Sequence, residues 1–354
     1  MLAIPPELIA HNPVQRGKAR LLHRMLDGQL HDCRFAQLAE VLPFKSLLVL
    51  NDTKVFPARI CAAGFEFLLL GLPTPSNDSL HASGGKESSS VSYRCEALVK
   101  PSKKLRFTQV IQVDSAVRIV VAGKRSVAKH AIYQLHITTS AGVDFYDWLE
   151  QHGNTPLPPY IKDSSSQVEY QTDYAKHRGS VAAPTAGLHF TREHLMRLQS
   201  VGIDHCYLTL HVSAGTFLPI RTANPAEHQL LPERYCVPQA SVAKINAARR
   251  QGQEIIAVGT TSLRALESFM RQTTARADTW YETDLYLHPQ APLRSQLFSG
   301  LITNFHQPSS TLFQLICALI GAPEAERMYQ HAIKQNYRFY SFGDSCFFEL
   351  AARK

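Results

Sequence analysis

The feature that most constrains the fold is a repeated pattern in which a short apolar segment runs into small or polar residues and then into a helix. An apolar strand followed by a helix is typical of an open α/β sheet. Such sheets bind ligands beyond the carboxyl ends of their strands. The pattern therefore predicts an α/β domain with a cleft at one edge of its sheet. The loops that would line this cleft are 179–191, 213–217, 259–262 and 304–308.

The first of these loops follows residues 180–183, which we expect to form a short buried strand. Thr191 is expected to cap the next helix. Between them, Ala186 and Gly187 leave space for a ligand near the backbone, and His189 can titrate near neutral pH. An ordinary strand-to-helix turn with a packed histidine is the alternative for this loop taken alone.

The third loop places hydroxyl groups at a helix N-terminus, where a carboxylate or phosphate is favoured. It lacks the spacing and the lysine of a P-loop. Single histidines are usually structural, but His189, His211 and His306 all lie beside strand-end loops and are candidates to line the cleft. The polar segment 51–53 also follows an apolar strand, although a turn that satisfies its own backbone is the favoured interpretation there.

Composition limits the class of protein. The chain has 354 residues, 45% of them hydrophobic, and a formal net charge of +8, which is compatible with a polyanionic partner but is weak evidence for one. No apolar run is long enough to span a membrane. The seven cysteines are scattered without a metal-ligand spacing, so we expect no metal site and a cytoplasmic location.

Residues 60–150 have a different pattern of secondary-structure signals from the rest of the chain. Short strand-like segments alternate with turns there, which predicts a small antiparallel barrel or sandwich. We therefore expect a large α/β domain, formed by residues 1–59 and 151–354, into which a small antiparallel β-barrel domain of residues 60–150 is inserted.

Seven segments then carry a resemblance over nearly the whole chain. The sequence resembles the S-adenosylmethionine:tRNA ribosyltransferase-isomerase family of queuosine biosynthesis. The segments, which occur in the family's order, are 50–59 (LNDTKVFPAR), 170–172 (YQT), 179–191 (GSVAAPTAGLHFT), 211–217 (HVSAGTF), 258–268 (VGTTSLRALES), 303–306 (TNFH) and 339–344 (FYSFGD).

The resemblance implies that the ribosyl part of S-adenosylmethionine is transferred to 7-aminomethyl-7-deazaguanine in a tRNA anticodon and isomerised. The products would be epoxyqueuosine, adenine and methionine. It also implies the inserted β-barrel, S-adenosylmethionine as a substrate rather than a cofactor, and a queuosine-type tRNA as partner. We expect no other cofactor and a monomeric protein.

That reaction needs a proton removed next to the sulfonium and a proton supplied to the departing adenine, and histidine suits both transfers. His189 and His306 are the acid–base candidates, with Asp52 and Glu233 as polar partners. Thr260, Thr261 and Ser262 would hold the amino-acid or ribose end. The remaining candidate substrate-binding residues are Asn51, Thr53, Arg59, Thr185, Gly187, His211, Gly215, Thr216, His228, Arg264 and Asn304.

Some positions depart from the family's pattern. Leu231 stands where a second histidine is usual, and Gln290 and Ser299 replace the expected glycine and acidic residue. The glycine-rich turn into the barrel is reduced to residues 62–64 (AAG). A diverged member that binds tRNA or S-adenosylmethionine with weak or altered catalysis is therefore the alternative.

Overall fold

The structure is a computed structural model that describes residues 2–14, 17–76, 91–127, 130–158, 160–161, 170–217, 220 and 227–351. Within these residues it is a mixed α/β fold with two large sheets and one strand pair. The helices are α1 (Leu38–Val41), α2 (Phe145–His152), α3 (Arg192–Ser200), α4 (Gln239–Arg250), α5 (Thr260–Arg271), α6 (Thr311–Ile320) and α7 (Ala322–Lys334).

The larger sheet has nine strands among the described residues, in the spatial order β16-β14-β13-β3-β15-β17-β18-β1-β2. Its four neighbouring strands β13, β3, β15 and β17 are parallel, so their carboxyl ends meet at one edge. The strands are β1 (Arg20–Arg24), β2 (Leu30–Arg34), β3 (Leu47–Asn51), β13 (Asp204–Leu210), β14 (Glu233–Cys236), β15 (Ile255–Val258), β16 (Trp280–Thr283), β17 (Gly300–Asn304) and β18 (Ser345–Glu349).

Strand β3 shows why the centre of this sheet is apolar. Successive side chains of a strand point to opposite faces, and all five residues of β3 are buried. Leu47 and Val49 join a hydrophobic cluster that includes residues of α4, α5, α6 and α7. Leu48 and Leu50 join a second cluster with α3. Helices on both faces therefore account for the continuous apolar run.

The second sheet is antiparallel and packs its own core, which includes Phe67, Ile119 and Leu135 together with Trp148 of α2. Its strand order is β5-β6-β8-β11-β10-β9, with β7 paired to β8. The strands are β5 (Arg59–Ala62), β6 (Phe65–Leu69), β7 (Thr74–Ser76), β8 (Val91–Lys100), β9 (Val110–Gln112), β10 (Val117–Val127) and β11 (His130–Thr139).

One strand prediction was wrong. Residues 180–183 are not a strand of the large sheet: β12 (His177–Ser180) pairs with β4 (Thr53–Val55) in a separate two-stranded sheet. The Ser180 hydroxyl donates to the Ala182 carbonyl, which is a local side-chain bond of the kind that competes with strand pairing. Residues 337–340 contribute an isolated bridge between Phe339 and Ile9.

The predicted cap at Thr191 is confirmed, and Ser310 forms a second cap of the same kind. The Thr191 hydroxyl accepts a hydrogen bond from the His194 amide at the start of α3. The Ser310 hydroxyl does the same for the Phe313 amide at the start of α6. Both helices therefore begin where a side-chain oxygen satisfies a free amide of their first turn.

Candidate active site

A cavity of about 200 Å³ lies beyond the carboxyl ends of β15 and β17. The loops 179–191, 259–262 and 304–308 all contribute to its wall, and the loop 213–217 contributes to a smaller cavity beside it. The expected strand-end loops therefore meet at one edge of the large sheet. The predicted site residues that line the larger cavity are Thr185, Thr260, Thr261, Arg264, Asn304 and His306.

His189 lies behind this wall. A hydrogen bond of 3.1 Å joins its Nε2 to Nδ2 of Asn304. With the amide nitrogen as donor, the imidazole accepts through Nε2 and is neutral. Burial lowers the pKa of His189 to about 4, which favours the same neutral form. His189 therefore meets the cavity through Asn304, which lines it.

His306 lines the cavity itself. Its Nε2 is 2.9 Å from the Thr303 hydroxyl, and its backbone amide donates to the Tyr329 hydroxyl. Burial lowers the pKa of His306 to about 4, so its imidazole is uncharged near neutral pH. The Thr303 hydroxyl thus holds the ring, the Tyr329 hydroxyl holds the backbone of the same residue, and the imidazole is in a form that can accept a proton.

A buried ion pair forms the boundary between the two cavities. The Arg264 guanidinium donates through Nη1 to Oε2 of Glu233 and through Nε to the Leu285 carbonyl. Oε1 of Glu233 accepts the Ser213 amide. Arg264 lines both cavities, whereas Glu233 and Gly215 line only the smaller one. Glu233 therefore holds Arg264 in place from the side away from the larger cavity.

Asn51, Asp52, Thr53 and His211 form a separate cluster that does not line either cavity. The Asn51 side chain caps the Thr53 and Leu210 amides, as expected for a turn that satisfies its own backbone. His211 bonds the Thr53 hydroxyl at 2.8 Å, and burial lowers its pKa to about 4.

Asp52 is the acidic member of this cluster. Its Oδ1 accepts a hydrogen bond from the Thr209 hydroxyl at 2.6 Å, and its Oδ2 lies 3.7 Å from Nε2 of His177. Burial raises the pKa of Asp52, which favours the protonated carboxyl relative to an exposed aspartate.

Four further candidates lie apart from the larger cavity. Arg59 belongs to the antiparallel sheet and pairs with Glu66 at 3.5 Å. The Ser262 hydroxyl, in the first turn of α5, donates to the Val258 carbonyl at the end of β15. Gly187 packs against Tyr174, and His228 stacks edge-on to Tyr286 with its pKa lowered by burial. The side chain of Thr216 lies outside the described residues.

Two further residues of the cavity wall were not selected from the sequence, and both are aromatic. Tyr160 and Tyr340 line the cavity with their ring centroids 4.9 Å apart. The Ser341 amide donates to the Tyr160 hydroxyl, which ties the two segments together. Tyr340 adopts φ of +74°, a left-handed conformation that is uncommon outside glycine and clusters at functional sites. Tyr340 could have been selected from the sequence, because it lies in the segment 339–344, one of those that carry the resemblance.

The positions that depart from the family's pattern have different relations to the site. Ser299 precedes β17 at the end of the strand opposite the cavity, where its hydroxyl donates to the Ile255 carbonyl. Gln290 lies in the exposed turn bridged by His288 and Ala291. Leu231 is buried and lines the smaller cavity. Of these three substitutions, only Leu231 is therefore next to the Arg264–Glu233 pair.

In the part of the chain that the structure describes, no helix combines the length and apolar character needed to cross a membrane. The same residues contain no group of three or more His, Cys, Asp or Glu side chains arranged to hold a metal ion. The cavity lies at a sheet edge and is lined by His306, which is uncharged near neutral pH, and by Arg264, which Glu233 holds in place. These features define an α/β protein with an enzyme-type site.

Comparison with known proteins identifies the family. The sequence model described as "Queuosine biosynthesis protein" matches residues 2–348, and the chain belongs to this family. A protein of Aromatoleum aromaticum named S-adenosylmethionine:tRNA ribosyltransferase-isomerase is 41% identical over 97% of this chain and 94% of its own length. One of the same name from Thiobacillus denitrificans is 39% identical over 99% and 96%.

A solved structure agrees with these sequence relatives. The crystal structure of S-adenosylmethionine tRNA ribosyltransferase from Thermotoga maritima is 29% identical and covers 98% of both chains, with a TM-score of 0.52. The expected family and the coarse α/β fold are thus confirmed.

Proposed function

We propose that this chain transfers the ribosyl moiety of S-adenosylmethionine to 7-aminomethyl-7-deazaguanine in a queuosine-type tRNA anticodon and isomerises it to epoxyqueuosine. Adenine and methionine are released. The observation that carries this proposal is the full-length match to proteins named for this activity. The cavity of about 200 Å³, built by the sequence segments that carry the resemblance, supports it.

The proposal includes a division of the chain into residues 1–59 with 151–354 and an inserted small β-barrel of residues 60–150. The antiparallel sheet supports this division, as does its core, most of whose residues lie within 60–150. The proposed location is the cytoplasm, where tRNA is modified, and the proposed state is a monomer.

The residues have separate roles in this reaction. His306 lines the cavity as a neutral imidazole and is the proposed group that accepts the proton next to the sulfonium. His189 acts through Asn304 as a positioning residue, because its hydrogen bond orients that amide. Asp52, in the neighbouring cluster, is the proposed proton-holding carboxyl, since burial raises its pKa.

Tyr160 and Tyr340 offer rings on which the adenine of S-adenosylmethionine can stack. Thr260 and Thr261, at the N-terminus of α5, face the same space. The cavity thus offers an aromatic wall and a polar wall, which matches a substrate with a purine at one end and an amino acid at the other.

Release of adenine tests the proposal. The protein is incubated with S-adenosylmethionine and tRNA that carries the modified base, and free adenine is measured by liquid chromatography. Adenine should appear only when that tRNA is present. His306→Gln should lower the rate by roughly 100-fold or more, as for loss of a general base. His31→Gln, which changes an exposed histidine on β2, is the control and should retain the rate.

The second candidate function is a diverged member that binds tRNA or S-adenosylmethionine with weak or altered catalysis. Leu231 favours it, because a leucine lines the smaller cavity where a histidine is usual in the family. Binding of S-adenosylmethionine without adenine release would support this candidate. Leu231→His should then increase adenine release if the missing imidazole is the cause.

A further inference from the structure

The larger cavity contains polar atoms that no described residue satisfies. Nη2 of Arg264, the hydroxyl of Thr261 and Oδ1 of Asn304 each expose less than 1 Å² and have no hydrogen-bond partner among the described residues. Arg264 is 3% exposed and Asn304 is 1% exposed. Unpartnered buried polar groups are costly, so three around one cavity indicate that a ligand completes them.

The orientation of Arg264 indicates which ligand group it takes. Its Nε donates to the Leu285 carbonyl and its Nη1 donates to the Glu233 carboxylate. Both of these residues line the smaller cavity. Nη2 is the remaining nitrogen, and Arg264 also lines the larger cavity. Since Glu233 fixes the guanidinium, Nη2 is held in one direction and can donate to an anionic oxygen without reorganisation.

The N-terminus of α5 adds to this anion preference. The helix has 12 residues and begins at Thr260, and both Thr260 and Thr261 line the cavity. Gly259, with φ of +85°, precedes it without a side-chain cap. The free amides of the first turn and the positive end of the helix dipole both favour a negative group.

We propose that Arg264 Nη2, the Thr261 hydroxyl and the first turn of α5 form a subsite for the α-carboxylate of the methionyl end of S-adenosylmethionine, with Asn304 Oδ1 accepting from its α-ammonium group. This inference rests on the proposed function. A phosphate offers only acceptor oxygens and would leave Asn304 Oδ1 unpaired, whereas an amino-acid end offers both an anion and N–H donors.

The test compares two ligands that differ by one group. Binding of S-adenosylmethionine and of decarboxylated S-adenosylmethionine is measured by calorimetry without tRNA, for the wild type and for Arg264→Lys. The lysine keeps a positive charge beside Glu233 but removes Nη2. Arg271→Lys is the matched control, because Arg271 lies in the same helix and pairs with Glu267 outside the cavity.

The wild type should bind S-adenosylmethionine on the order of 10- to 100-fold more tightly than the decarboxylated ligand, as for a charge-assisted hydrogen bond. Arg264→Lys should bring this ratio close to one, while Arg271→Lys should leave it at the wild-type value. If Arg264→Lys fails to fold, the comparison of the two ligands on the wild type still decides.

Equal affinity of the wild type for both ligands, or no binding of either, would overturn the subsite. A ratio unchanged in Arg264→Lys, together with weaker tRNA binding, would also overturn it and assign the arginine to a tRNA phosphate. Adenine release by the wild type is measured separately. If adenine is released but the two ligands bind equally, the subsite is wrong and the proposed function stands. If no adenine is released but the two affinities differ as expected, the subsite stands and the proposed function is wrong.

Discussion

Protonation of His189 should destabilise the fold as the pH falls. Burial holds the pKa of this imidazole at about 4, whereas the unfolded chain has the ordinary value of 6.5. The unfolded state therefore binds more protons between these two values, so stability is fully present above pH 6.5 and is lost as the pH falls towards 4. At pH 5, protonation of the His189 imidazole in the unfolded chain therefore lowers the free energy of unfolding by about 2 kcal/mol, because each pH unit below 6.5 contributes about 1.4 kcal/mol.

The assay is urea unfolding of the wild type and His189→Gln at pH 7 and pH 5. The glutamine keeps an acceptor for Asn304 but has no titration in this range. The loss of unfolding free energy between the two pH values should be smaller in the variant by about 2 kcal/mol. Above pH 7, the two proteins should depend on pH in parallel. Identical losses between pH 7 and pH 5 would refute the assignment of His189 as a neutral, buried group.

Two further predictions concern the loop 179–191 and the helix after it. Gly187→Ala would place a Cβ 2.2 Å from the Tyr174 hydroxyl, so thermal unfolding should show a loss of about 1–3 kcal/mol. Gly71→Ala, with open space around the added atom, should change stability by less than about 0.5 kcal/mol, and equal losses in both would contradict the packing argument. Thr191→Ala removes the cap that accepts the His194 amide and should cost about 1 kcal/mol in urea unfolding, while Thr191→Ser should restore most of it; no difference between alanine and serine would refute the capping role.

The strand-end loops could be predicted because their signals are local. Apolar runs, small residues and capping hydroxyls follow one another within a few positions, and the carboxyl ends of parallel strands meet at one edge. The third loop also shows the limit of that reasoning. Thr260 and Thr261 line the cavity, but the next residue, Ser262, turns away because each helical residue rotates by about 100°.

Other parts of the site depend on contacts between distant segments, which no local pattern records. Tyr160 and Tyr340 are 180 positions apart in the sequence, yet their rings are in contact. A hydrogen bond from the Ser341 amide to the Tyr160 hydroxyl holds the two segments together. β18 was not predicted, and its pairing with β1, which lies at the other end of the chain, is a contact between distant segments. The buried pair of Arg264 and Glu233 was selected only through the resemblance, since neither residue has a spacing that indicates the other.

The most direct test of the proposed function follows two labels of S-adenosylmethionine into tRNA. One sample carries the label in the ribosyl carbons and the other in the methyl group, and each is incubated with the protein and with tRNA that contains 7-aminomethyl-7-deazaguanine. The proposed reaction should place ribosyl label on the tRNA, leave no methyl label there, and release adenine into solution. Methyl label on the tRNA, or no label from either sample, would contradict it.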